Sequence, residues 1–579
     1  MNVLAICINI KIFLCILLAF LSLTVNAENA VTPATLQAFD KIFSEVDSLQ
    51  KPAVAVALLK KEKIIYQKSF GSANLEHKVP ATVDTKFQVD TLAWEFIAYA
   101  TLILEEQGKL RLTDEIGRYL PDLSESQGKI TINHLLSSTD GLQGYTVLKS
   151  LGGWDPKGPN QDQEAMELVK RQKSLNFQPG TAFSPGGNTR LLVLAKIVEV
   201  VSGQKFDEFC RLNMFEPLAM SNTLFVYDRD LPVANTAVPY QSVSNGQYKT
   251  DYGNLAVAGP LNLYTSIKDL SAWRSALALR KATAKSSASK LDLPIRLDSG
   301  KIIKDISSIS IYGQQHVGQE RGIPKVYQLG SMGGYASSIF HFAEHDITVV
   351  VLSSGLVYNG SYGMRLASIL LKEKFKEAET IDYSKVNSVV LRPDQLQAFE
   401  GNYWNAERAI SAKTYVRNNI LYYRRAEGTE RVLIPLGASV FQMVIDGDDK
   451  YYMKFVEGQR GKNMQFSMGD SDPIVFEPHT PATYEKNELA QFAGIFHSEE
   501  LNSSFTLGEN NGVLTASNIR IGTVNLKPVK KDVFYGNKSF MAGIEFERDR
   551  DSQIVGFKVT VEEARNLKFK KIRASAGAP

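Results

Sequence analysis

Ala336-Ser337-Ser338-Ile339-Phe340-His341-Phe342-Ala343-Glu344-His345-Asp346-Ile347-Thr348-Val349-Val350-Val351-Leu352-Ser353 contains two apolar runs, Ala336 to Phe342 and Ile347 to Ser353, parted by a short polar turn. Such runs, rich in aromatic and β-branched residues, read as a β-hairpin. A second hairpin is predicted far upstream, where Ala53 to Leu59 and Ile64 to Ser69 flank Lys60-Lys61-Glu62-Lys63. Helical patterns lie between and around these hairpins. Leu36, Phe39, Ile42, Phe43 and Val46 follow Thr35 at helical spacing, Leu92 to Glu106 is stopped by Gly108, Leu191 to Val201 by Gly203, and Met364 to Lys374 closes the region. Strands at both ends with helices between them predict an α+β domain whose sheet joins distant parts of the chain.

Downstream of about residue 380 the pattern changes to short strands with frequent Gly, Asn and Asp turns, and the tail matches itself. Leu396, Phe399, Gly401 and Tyr403 recur as Leu489, Phe492, Gly494 and Phe496, an offset of 93 residues. Leu433, Pro435 and Phe441 recur as Leu526, Pro528 and Phe534, and Phe476 as Phe569, while Phe455 and Phe466 match Phe546 and Phe557 at 91. Two tandem β domains, each a small barrel or sandwich, are expected at 388–480 and 481–573. Neither contains a catalytic constellation, so a packing or oligomerisation role is expected first and a ligand in a barrel mouth second.

The 579 residues are 44% hydrophobic and 22% charged, with 65 Lys+Arg against 62 Asp+Glu. That balance excludes a disordered, collagen-like or coiled-coil protein. A formal charge of +3 with no basic block makes nucleic acid an unexpected partner. Ile12 to Val25 is almost wholly apolar after Lys11, and Val25-Asn26-Ala27 offers small residues for cleavage, so residues 1–27 read as an export signal and 28–378 as the α+β domain. A periplasmic or secreted protein without stable membrane insertion is expected. An uncleaved anchor is the alternative, although Asn9 and Lys11 interrupt the apolar run. Of the three cysteines, only Cys210 lies outside the signal, so no internal disulfide is expected and Cys210 is read as a small buried hydrophobe.

Several phrases resemble the serine β-lactamase and penicillin-binding-protein superfamily, in its class C-like esterase and D-aminopeptidase branch. They are Glu105-Glu106-Gln107-Gly108-Lys109-Leu110 with Tyr119-Leu120-Pro121, Ile130-Thr131-Ile132-Asn133-His134-Leu135-Leu136 with Thr139-Asp140-Gly141-Leu142, Gln178-Pro179-Gly180, Phe215-Glu216-Pro217-Leu218, and Ala258-Gly259-Pro260-Leu261 with Asp269-Leu270. The resemblance covers the whole α+β domain, and the duplicated tail is similar to lipocalin-like domains that follow such hydrolases. It implies three catalytic clusters: a Ser with a Lys one helical turn later, a Tyr-x-Asn loop, and a Lys-or-His-x-Gly strand. Two backbone N–H groups, from the nucleophile and from the residue after that Gly, would stabilise an oxyanion.

Alignment on Phe87 and Phe96 puts Thr91 at the nucleophile position and Trp94 at that of the general-base Lys. An indole N–H cannot accept a proton. Gly186 stands in the place of the Tyr, before a retained Asn188, and Ser331 takes the Lys or His position before Gly333 and Gly334. Thr91, Asn188, Gly333 and Gly334 remain as binding positions. Ser-x-x-Lys also occurs from Ser48, Ser126, Ser202 and Ser287; Ser48 is read as ending the first helix, Ser202 as a helix terminus and the other two as loop residues, and none opens the long helix.

Asp90 and Glu95 flank the site as candidate replacement bases, and both are expected to lie on helix faces different from position 94. Asp140 is expected to cap a turn before Gly141. His341 and His345 lack a third metal ligand, and His77, His134, His316, His479 and His497 form no recognisable pair with Ser and Asp. No metal or cofactor is therefore expected. Losing a nucleophile or its base typically costs about 10⁴ to 10⁶ in turnover. The favoured reading is an exported, catalytically impaired family member that binds a peptidoglycan-like peptide, an acyl small molecule or a partner protein. The alternative is a working esterase, amidase or D-amino-acid peptidase that uses Thr91 with a non-standard base. In a third reading the tail carries the function. For Trp94 itself, a core position and a ligand-stacking role stay open.

Overall fold

The computed structural model describes residues 31–572 apart from 155–161, 228–231, 244–245, 254–261, 285, 306–307, 313–314, 356–358, 377–388, 426–427, 429, 445–450 and 469–472. The export segment 1–27, the phrase Ala258 to Leu261 and the junction after residue 378 lie outside the described residues.

Both predicted hairpins form. Strands β1 (Val54–Lys60) and β2 (Lys63–Phe70) turn through Lys61 and Glu62, both at positive φ. Further along are β3 (Lys304–Asp305), β4 (Ser308–Ile311), β5 (Gln315–Glu320), β6 (Ile323–Met332), β7 (Tyr335–Phe342) and β8 (Ile347–Ser353). The eight form one antiparallel sheet in the order β3-β4-β5-β6-β7-β8-β1-β2. β1 pairs with β8 from Val54↔Ser353 to Lys60↔Ile347, so the sheet joins the two ends of the domain.

Alternation along β1 divides its side chains between two cores. Val54, Val56 and Leu58 pack with Phe39, Phe43, Tyr362 and Leu366 from α1 (Pro33–Ile42) and from the helix Asn359–Leu371. Ala53, Ala55, Ala57 and Leu59 face the other core. Their small size admits α2 (Ala93–Glu106), α3 (Thr189–Ser202) and α4 (Ile267–Lys281). α3 ends at Gly203 in the left-handed conformation, as expected of a glycine stop.

Three local expectations need correction. α1 ends at Ile42 and passes into turns, because Thr32 and Pro33 start it earlier than the apolar spacing suggests, and Ser48 lies beyond it. Ser126 lies in the short helix Glu125–Gly128 and Ser287 opens a 3-10 turn, Ser287–Asp292, so neither is in a loop; Ser202 does terminate α3. Cys210 is buried on the short helix Phe206–Cys210.

The tail is two closed eight-stranded barrels, from Gly401–Asn405 to Ile474–His479 and from Gly494–Ser498 to Ala564–Ile572. Closure leaves no unpaired edge. The repeated aromatics are their cores: Phe399 and Phe441 meet edge to face at 5.0 Å, and Phe492 and Phe534 at the same 5.0 Å.

Candidate functional site

The segment that leads into α2 breaks the helical pattern. Asp90 has φ +42° and opens a 3-10 turn, Asp90–Leu92, before α2 begins. That bend is tolerable for Asp, whose short polar side chain bonds locally. Here it turns the carboxylate back, so that Thr91 Oγ1 donates to Asp90 Oδ2 at 3.0 Å. The expectation that Asp90 lies on a different face from position 94 does not hold: residues four apart share a helix face, and the segment becomes α-helical only at Ala93. β6 presses against this turn: Gln328 Nε2 donates to Thr91 O at 3.0 Å, and a Cβ on Gly330 would meet Val89 O at 2.8 Å and Thr91 N at 3.3 Å.

Burial raises the Asp90 carboxyl to about 6, against the lowering effect of its bonds to Thr91. A carboxyl whose folded pKa is raised stabilises the fold when protonated, and that contribution fades as pH climbs from about 4 to about 6. Asp90→Asn is thus expected to gain stability relative to wild type between about pH 4.5 and about pH 7, read as the shift in urea midpoint. An equal difference at the two pH values would rule this out.

Glu95 turns the other way. It is 1% exposed and accepts from Trp273 Nε1 at 2.7 Å, from Arg274 Nη1 at 2.9 Å and from Gln315 Nε2. The charge of Arg274 holds its pKa low despite burial.

Trp94 is buried, and the Arg190 guanidinium lies over its ring at 4.3 Å. It is a core residue, as one of the two readings has it, and it carries a cation supplied by α3 over its ring. Arg190 also donates to the carbonyls of Ser184, Pro185 and Gly187, which fixes the loop ahead of Asn188, the N-cap of α3. Burial lowers its pKa to about 10, countered by Asp140 and Glu563. Asp140 accepts from Leu142 N–H at 2.8 Å, as a turn cap should, and burial raises its pKa against the pull of Arg190.

Glu563 comes from the turn between the last two strands of the second barrel, Ile554–Val561 and Ala564–Ile572. Its carbonyl accepts from Gly144 N–H at 2.7 Å and from Asn176 Nδ2 at 3.0 Å, and its carboxylate accepts from Thr146 Oγ1 at 3.4 Å. The next residue but one, Arg565, donates its N–H to Gln143 Oε1 at 2.9 Å and Asn176 Oδ1 at 2.8 Å. A Cβ on Gly186 would lie 2.8 Å from Glu563 Oε1. The barrel turn thus occupies space beside Gly186 that any side chain there would need.

The remaining positions are spread along the end of β6. Ser331 is exposed, while its neighbour Gly330 faces Thr91. Gly333 has φ +55°, and the Gly334 N–H donates to Asp251 O at 2.7 Å. Trp94 and Gly186 therefore gather at Arg190 and Glu563, while Thr91 lies against Gln328 and Gly330 of β6. Arg190, Asp251 and Glu563 carried no sequence signal beyond the closeness of Arg190 to Asn188.

The histidines are held locally. His341 Nδ1 pairs with Thr348 Oγ1 at 2.9 Å and His497 Nδ1 with Ser504 Oγ at 2.9 Å. His134 does have an acidic partner that the sequence did not reveal, Asp298 at 3.3 Å, while its Nδ1 accepts from the Thr131 N–H. Among the described residues no group of three His, Cys, Asp or Glu is placed to hold a metal.

Comparison with known proteins gives a consistent picture. A family model described as Beta-lactamase matches residues 39–374. Over 364 residues the chain is 24% identical to a D-aminopeptidase of Gluconobacter oxydans, covering 62% of this chain and 65% of that protein. Over 310 residues it is 28% identical to a penicillin-binding protein of Bacillus subtilis, covering 50% of this chain and 65% of that one. The chain thus spans 65% of the length of each of these curated relatives. The octameric penicillin-binding protein homologue from Pyrococcus abyssi shares the fold, with a TM-score of 0.52 at 21% identity over 77% of this chain and 100% of the other.

Proposed function

The protein belongs to the beta-lactamase family, and from that starting point we propose that it is a non-hydrolysing member, which binds a short peptide or acyl ligand between the α+β domain and the Glu563 turn. The observation that carries this reading is the state of the Gly334 N–H, one of the two groups that would receive an oxyanion, which is bonded to Asp251 O at 2.7 Å. A donor must be free and aimed at the developing negative charge to lower a barrier, and this one is already engaged. Trp94 in place of a base, and Glu563 beside Gly186, support the same reading. The expected result is an unchanged intact mass after incubation with benzylpenicillin or a fluorophosphonate. An adduct that disappears in Thr91→Ala would overturn the proposal.

The Thr91–Asp90 hydrogen bond favours a second reading, slow hydrolysis with Asp90 as base. It requires turnover of a chromogenic ester that is lost in both Thr91→Ala and Asp90→Asn. Export is part of the proposal too, supported by the Ile12–Val25 segment and checked by N-terminal sequencing of the mature chain. Among the described residues no helix is long and apolar enough to cross a membrane.

A further inference from the structure

A cavity of about 370 Å³ lies between α4 and the sheet, away from the site just described. Its wall includes Val326, four residues before Gly330 on the same face of β6, which places it about 13 Å along the strand from the Thr91 turn. From α4 the wall is Arg274, Leu277 and Lys281, and from the sheet it is Leu59, Gln315, Val317, Val326 and His341, so each wall mixes apolar and polar side chains.

Arg274 is the informative residue. Its side chain is 10% exposed, and Nη1 reaches both oxygens of Glu95 at 3.0 and 2.9 Å. Its Nε–H is buried and has no acceptor among the described residues. An unmet buried donor costs about 1–3 kcal/mol, so an acceptor at that point is favoured. Acid groups also face the cavity: Asp292 is paired with Lys281 at 2.6 Å, and Glu62 and Asp346 stand in the turns at its rim. Arg274 and Lys281 are each met by a carboxylate, Glu95 and Asp292, so the unmet Nε–H is a donor left to the cavity. Burial and then the charges of Arg274 and Lys281 push the His341 pKa down to about 4. Its Nδ1 bonds Thr348 Oγ1, and in the tautomer in which that nitrogen accepts, Nε2–H is a further donor.

We propose that this cavity is a binding site for a small apolar monocarboxylate, aryl or short-chain acyl, with its carboxylate on Arg274 Nε–H and His341 and its body against Leu59, Leu277 and Val317. The site is independent of whether the Thr91 pocket hydrolyses anything. It also touches that pocket's support, since Arg274 and Gln315 both hold Glu95, one turn after Thr91 on α2.

The test is calorimetric titration of the full mature chain with 2-naphthoate and with the neutral 2-naphthamide. Naphthoate is expected to saturate, with the amide weaker by about tenfold or more. Arg274→Lys keeps a cation for Glu95 but removes the Nε donor, and should weaken naphthoate by about tenfold. Val317→Phe and Ala278→Phe fill the cavity from opposite sides and should do the same; a variant counts only if its circular dichroism is that of the wild type. Bound carboxylate should also raise the His341 pKa, read by NMR of the ring nitrogens. Equal affinity for acid and amide, undiminished binding in both filled variants, an unmoved His341, or no saturation by naphthoate would each overturn the proposal.

Discussion

A chain that carries Thr91→Ser, Trp94→Lys and Gly186→Tyr together is expected to remain without measurable ester or β-lactam turnover, although it regains the family's serine, lysine and tyrosine. Three contacts account for this. A lysine at position 94 replaces the ring beneath Arg190, 4.3 Å from the guanidinium, with a second positive charge. A tyrosine at 186 begins with a Cβ 2.8 Å from Glu563 Oε1, so it can enter only if the Glu563 side chain is displaced. The Gly334 N–H stays on Asp251 O whatever stands at the other positions. With an oxyanion donor engaged and the relay misplaced, turnover should stay about 10⁴-fold or more below that of an intact enzyme of this type. Steady-state hydrolysis of nitrocefin and of a p-nitrophenyl ester measures it. Recovery above that level would show that substitution at the three positions alone silenced the site.

Arg190→Met is expected to lower stability by about 3 kcal/mol or more, at about 1–3 kcal/mol for each buried carbonyl left without a donor. The methionine preserves bulk over Trp94 but withdraws donors from the Ser184, Pro185 and Gly187 carbonyls, and with them a charge that opposes the burial of Glu563 and Asp140. Without it both carboxyls, already raised by burial, rise further. The sign of the pH dependence follows. At low pH they bind protons in the folded state and the loss shrinks; as pH rises through their raised values the loss grows. Urea unfolding at pH 5 and pH 7 measures both, and Asp140→Asn should recover part of the loss in the Arg190→Met background. A loss below about 1 kcal/mol would mean that the cluster is solvated and Arg190 is not what holds the loop.

What was legible in the sequence was periodic. The apolar runs around residues 343–346 and 60–63 became hairpins because each residue type repeated its local preference over several positions. The duplicated phenylalanines were legible because a barrel core fixes its aromatics by register, and two copies preserve that register. The reading of Trp94 and Gly186 as substituted positions rests on the resemblance alone, and the structure sets them beside Arg190 and Glu563. Asp90 was misread on two counts: residues four apart share a helix face, and the left-handed backbone at Asp90, ahead of α2, sets its carboxylate on Thr91. Glu563 was invisible for another reason. Its contacts with Gly144 and Thr146 span more than four hundred residues and depend on how one barrel sits against another domain, which no local pattern records.

The pairing of β1 with β8 also sets the order of events during synthesis. β1 is complete at Lys60, but the strand that covers it ends at Ser353. At about 5–20 residues per second, roughly a quarter of a minute to a minute passes before that partner emerges. Until then the Val54–Lys60 backbone is an open sheet edge carrying a nearly continuous apolar run, the kind of segment that recruits other chains. The two barrels, each closed by its own consecutive strands, face no such delay. Folding of this protein is therefore paced from its first hairpin, and a holdase that shields residues 54–60 should raise the yield of native chain more than one directed at either barrel.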